Sequence, residues 1–181
     1  MEIIDKLLPL IGAFLGGVFT LIGIHISNKN NIIQLREKVQ TEATQKKSEV
    51  LRDKLEELYT LQSKWSGNLV SHHCTYRKVM DDELSYNQAL DLQIEADVKF
   101  DSQRFFTLAE LYFPECHPEL EKVKECRGIL SDIQMSFRNH YKEVGCGCSK
   151  HSKEITKWLG YFNKSIDAYE KKLRSLSMSL I

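Results

Sequence analysis

The sequence predicts an all-α protein: one N-terminal transmembrane helix, a helical stalk, and an antiparallel cytoplasmic bundle of about four helices. Three observations carry this expectation. Residues 7–24 read LLPLIGAFLGGVFTLIGI, without a charge. At 1.5 Å per residue such a helix reaches about 27 Å, close to the hydrocarbon thickness of a bilayer. The rest of the chain repeats apolar residues at steps of three and four, with no period-two pattern and no Asn-Gly hairpin signal. Finally, the 181 residues hold only three prolines and nine glycines, four of the glycines inside the apolar run, so little interrupts long helices.

The first element is the anchor, residues 1–28 with its apolar core at 7–24. A cleaved signal peptide is the competing reading. The opening MEIIDK carries two acids against one lysine, and Gly23-Ile24-His25-Ile26-Ser27-Asn28 offers no small-x-small cleavage site. Lys6 alone flanks the run on one side, whereas Lys29, Arg36 and Lys38 flank it on the other. The positive-inside rule therefore places the N-terminus outside and the C-terminal domain in the cytoplasm. Five cysteines, Cys74, Cys116, Cys126, Cys146 and Cys148, form an odd set in a long chain, consistent with reduced thiols in that compartment.

Residues 29–50 form the stalk. Ser27-Asn28-Lys29-Asn30-Asn31 is a polar stretch expected to break or cap the anchor helix. Ile32, Leu35 and Val39 then make a thin seam that fades into QTEATQKKSE, a solvated linker helix or weak coiled coil. The bundle, residues 51–181, begins where the seam thickens: Leu51, Leu55, Leu58, Leu61 or Gln62, Trp65 and Leu69 on a helix to about Met80. Asp81-Asp82 reads as a break and N-cap for a second helix over about 83–100, with Leu84, Leu90, Ile94 and Val98 inward. A short aromatic segment, residues 105–113, follows, more suited to core packing than to a partner surface. Pro118 suits the first turn of a helix over 119–144, with Leu120, Val123, Cys126 or Arg127, Leu130, Ile133, Phe137, Tyr141 and Val144 in a row. Gly145-Cys146-Gly147-Cys148-Ser149 stops it. The last helix places Ile155, Trp158 or Leu159, Phe162, Ile166, Tyr169, Leu173 and Leu176 on one face.

Candidate chemistry is sparse. Lys+Arg and Asp+Glu both number 25, so no basic excess points to nucleic acid. Gly12 and Gly16 form a GxxxG continued by Thr20, beside a second small pair, Ala13 and Gly17. Small residues four apart let two membrane helices approach closely, so this face predicts self-association, although glycine is common in such helices by chance. Cys146-x-Cys148-x-x-His151 offers two or three ligands of the four zinc wants. The turn at Cys116 and His117 lies about 40 Å away if residues 119–144 are helical, so it cannot complete the set within one chain. The expectation is therefore no metal, and a glycine-rich turn that happens to carry thiols. Adjacent His72 and His73 point about 100° apart on a helix and are expected to divide between core and surface. No Glu-x-x-His, His-Glu-x-x-His, GxxxxGK[ST] or GxSxG occurs, so neither an enzyme nor a cofactor is predicted.

The plan is similar to a loose class of small bacterial and phage-borne membrane proteins. These carry one apolar, Gly-rich N-terminal anchor of the type LLPLIGAFLGGVFTLI, a charged helical stalk and a helical cytoplasmic domain. The resemblance covers mainly residues 1–60. It implies the bacterial inner membrane as location, and it raises phage defence or toxin action as a role. The leading expectation is a non-enzymatic interaction or sensing module: bound to the lipid bilayer, homo-oligomeric through its anchor, and engaging a cytoplasmic protein partner. The alternatives are an oligomeric membrane-disrupting effector and, on the Cys/His count alone, a membrane-tethered metal-dependent enzyme.

Overall fold

A computed structural model describes the backbone of residues 2–95 and 102–179 and the side chains of residues 16–95 and 102–178. Among these residues the chain is helical, with no strand. The α-helices are α1 (Glu2–Met80), α2 (Tyr86–Glu95), α3 (Ser102–Tyr112), α4 (His117–Val144) and α5 (Ser149–Ser179), with a 3-10 turn at Pro114–Cys116. Internal contacts divide the chain into two compact units, Met1–Glu49 and Val50–Ile181.

The first unit is helix alone. Its backbone runs unbroken through Ser27-Asn28-Lys29-Asn30-Asn31, against the expected break. Serine and asparagine cost a helix only about 0.5 kcal/mol each, and the stretch contains neither the proline nor the capping glycine that stops one. Every described side chain from residue 16 to residue 47 is exposed. Among the described residues no helix is long and apolar enough to cross a membrane. Residues 7–15 of the apolar run lie outside the described side chains, so the expected spanning helix finds no support there.

The second unit is built on three long helical segments. Trp65 meets Phe162 and Tyr59 meets Arg174, so the C-terminal part of α1 runs antiparallel to α5. Phe137 meets His151 and Cys126 meets Ser165, so α4 is also antiparallel to α5. Segment α1 and helix α4 therefore run the same way, and the short α2 and α3 together occupy the fourth side. The expected antiparallel bundle is corrected in this respect: α1 and α4 run parallel, joined by the crossover of α2 and α3.

The apolar rows of α4 and α5 are buried as their spacing predicts: Leu120, Val123, Leu130, Ile133 and Phe137 against Ile155, Leu159, Phe162, Ile166, Tyr169 and Leu173. At about 1.5–3 kcal/mol per fully buried large side chain, this seam contributes a large share of the unit's stability. Cys126 rather than Arg127 is buried, Leu159 is buried deeper than Trp158, and Val144 is exposed at the helix end. Gly145 ends α4 with φ 74°, and its N–H donates to the Tyr141 carbonyl, the left-handed cap that glycine adopts without penalty.

Two further expectations need correction. Helix α2 starts at Tyr86, not at Asp81-Asp82, because Ser85 caps it. The Gln88 backbone N–H donates to Ser85 Oγ at 3.2 Å, while the Ser85 N–H donates to Gln88 Oε1 at 2.9 Å, a capping box. Of its expected inward row, Leu84 is half-buried against the core, Leu90 and Ile94 are exposed, and Val98 lies outside the described residues. Ala89 is the buried residue of this helix, small enough to let a short helix sit close.

Candidate functional site

The small-residue face of α1 is the first candidate. At about 100° per residue, Gly12, Ala13, Gly16, Gly17 and Thr20 share one side of the helix. The side chain of Ala13, with the whole of Gly12, lies outside the described side chains. At Gly16 and Gly17 an added Cβ would meet nothing within 4 Å, so the chain itself leaves this face uncovered. Thr20 Oγ1 donates to the Gly16 carbonyl at 2.7 Å. That bond satisfies the hydroxyl within its own helix, which allows it to sit against apolar surroundings. Exposed Lys29, Arg36, Lys38, Lys46 and Lys47 follow on the C-terminal side.

The second candidate, Cys146, Cys148 and His151, is not brought together as a ligand set. Among the described residues no three His, Cys, Asp or Glu side chains converge to hold a metal ion. Cys146 is exposed and Cys148 half-buried. His151 Nε2 lies 3.1 Å from Ser136 Oγ, and its ring sits beside His140 and Phe137. Burial holds the His151 pKa below the ordinary histidine value, with positive charge on His140 and Lys150 acting in the same direction.

The loop instead ties the α4–α5 turn to the end of α1. The Gly147 N–H donates to Asp82 Oδ1 at 2.6 Å, and the Cys148 N–H donates to the Met80 carbonyl at 2.8 Å. Asp82 takes φ 57°, a left-handed conformation that aspartate tolerates better than most residues. Asp82 thus caps a distant loop rather than the next helix. A Cβ on Gly147 would stand 2.5 Å from the Met80 carbonyl oxygen and 2.8 Å from the Asp82 carboxyl. Backbone oxygen cannot yield as a flexible side chain can. Gly147→Ala is therefore expected to destabilise the second unit by about 2 kcal/mol. A melting temperature equal to wild type would show that the loop can move off at no cost.

A polar cluster escapes the sequence reading. His72 bridges two helices: its Nδ1 lies 2.8 Å from Gln93 Oε1 of α2, and its Nε2 lies 3.1 Å from Gln134 Oε1 of α4. His73, one residue on, is buried, as the angular argument for adjacent histidines predicts. Its Nδ1 has no hydrogen-bond partner, nor do the buried Gln62 Oε1 and Tyr169 hydroxyl. These groups are scattered along the core and do not form one reacting centre. Gln62, which the sequence offered as the alternative to Leu61 in the apolar row, is the fully buried one of the two.

Compared with known proteins, the chain matches no family model, no curated protein sequence and no solved structure.

Proposed function

We propose that the protein is a single-pass, membrane-anchored helical interaction module of the bacterial inner membrane. It carries out no catalysis, self-associates through its first helix and presents the second unit to a cytoplasmic protein partner. The observation that carries this reading is the combination of an uncharged run at residues 7–24 with a helix whose side chains are exposed at every position from 16 to 47. A bare apolar helix in water is unfavourable, and a bilayer and a second helix are the environments that suit it. Exposed Leu92, Ile94 and Leu111 on the two short helices supply the apolar surface that partner binding requires.

The test is fractionation of the full chain and of a chain lacking residues 1–28, both expressed in a bacterium. The full chain is expected in the membrane pellet after an alkaline carbonate wash, and the shortened chain in the supernatant. Recovery of the full chain in the supernatant would overturn the anchor. For self-association, the pair Gly12→Leu and Gly16→Leu is expected to weaken the oligomer about tenfold, equivalent to about 1.4 kcal/mol. The far-ultraviolet spectrum and melting of the second unit should stay unchanged. Sedimentation in detergent reads the difference, and an unaltered oligomer would remove the small-residue face from the proposal.

A further inference from the structure

The helix that continues through Ser27-Asn28-Lys29-Asn30-Asn31 joins two apolar stretches into one seam. Val18, Leu21, His25, Asn28, Ile32, Leu35 and Val39 follow one another at steps of three and four without interruption, the a and d positions of a heptad repeat. All seven are exposed. Of the four apolar residues between positions 27 and 42, Ile32, Leu35 and Val39 fall on the seam, and Ile33 alone lies off it. The stretch receives no packing from the rest of its own unit. Helices of this kind draw their stability from a partner's apolar face.

We infer that two copies of this chain pair in parallel and in register through the seam from Val18 to Val39. A strict 3.5-residue repeat fits a helix with the same repeat, and a second copy supplies one. Register is set by the two polar members of the seam. Two copies anchored with the same orientation pair in parallel, and of the parallel registers only the in-register one places Asn28 against Asn28 and His25 against His25, so that neither polar group is left facing apolar side chains. The inference rests on the self-association proposed above, but it names a different surface. The seam lies about 140° around the helix from Gly12, Gly16 and Thr20. A pair built on it leaves the small-residue face outward, free to join pairs into a larger assembly.

Cysteine cross-linking of the full chain in membranes tests this, in a Cys146→Ser background that removes the exposed native thiol. Asn28→Cys and Leu35→Cys lie on the seam, Glu37→Cys on the far side, and Thr20→Cys on the small-residue face. Facing seam positions bring Cα atoms within disulfide range, so both seam variants should form linked dimers roughly fivefold or more faster than Glu37→Cys. Equal rates at seam and far-side positions would overturn the inference. Linkage through Thr20→Cys without linkage at the seam would overturn it while sparing self-association through the small-residue face. No linkage at any position, with a monomer in sedimentation, would remove both.

Discussion

Acidification from pH 7 to pH 4 is expected to cost the second unit about 3 kcal/mol through one residue, His73. Its imidazole is 3% exposed on the inner face of α1, and Nδ1 has no partner. Burial pushes its pKa from 6.5 down to about 4, and positive charge on the adjacent His72, whose ring lies 5.3 Å away, acts in the same direction. The unfolded chain therefore binds a proton near pH 6.5 that the folded chain refuses until near pH 4. Stability is complete above the unfolded value and falls as pH drops through that window. Below about pH 4 both states carry the proton and the loss levels off. Urea denaturation at pH 7, 5.5 and 4 reads the effect. The variant His73→Leu, close in volume, should flatten most of the slope, leaving the smaller contribution of the same sign from His151. A slope unchanged in His73→Leu would refute the assignment. The carboxylates of Glu57 and Glu121, held below the ordinary value by their lysine and arginine partners, add a loss of the same sign only at the acid end of that window.

His73 illustrates how much of the core was legible in the sequence. Helices α4 and α5 could be read almost residue by residue, because Pro118 starts one, Gly145 ends it, and both rows are apolar at steps of three and four. Burial there follows from spacing alone. Gln62 and His73 occupy the same kind of position on α1: spacing admitted Gln62 to the row only as an alternative to Leu61, and the angle between adjacent histidines left open which of the pair turns inward. Helix α2 shows the opposite failure. Leu90 and Ile94 have the right spacing yet remain exposed, because a ten-residue helix at the edge of the unit is placed by its neighbours: Ala89 fits closely and Gln93 reaches His72. Asp82 and Gly147 are 65 residues apart, and no local pattern announces that one carboxylate will cap that loop.

The candidate site divides in the same way. The small-residue face is visible as a four-residue spacing, and the cationic flank as a count of lysine and arginine. The heptad seam is not, because its middle members are His25 and Asn28, and polar residues flanked by more asparagine read as a break. Once the backbone is known to be helical there, the same polar residues cease to punctuate the chain and become part of a face.

Trp65→Ala is expected to produce the largest loss of any single substitution considered, about 3–5 kcal/mol. Trp65 is 5% exposed and stands where three helices meet. Its ring stacks on Phe105 with centroids 5.2 Å apart, and presents edges to Phe106 at 5.5 Å and Phe162 at 5.8 Å. Removing it withdraws the largest side chain of the cluster from between α3 and α5 and leaves a cavity that rigid neighbours cannot fill. Offset and edge-on aromatic pairs add about 0.5–1.5 kcal/mol each beyond burial, which places the expected loss at the upper end of the range. The short helix α3 is the most exposed to the change. Beside this cluster, Arg104 of α3 pairs with Glu57 of α1, an exposed contact of little worth in water. Thermal melting of the variant should fall well below that of wild type, and amide exchange in α3 should accelerate more than in α4 or α5. Trp65→Phe, which keeps an aromatic ring in place, should recover about half of the loss. Equal exchange in all three helices would mean that Trp65 supports the unit as a whole and does not clamp α3 in particular.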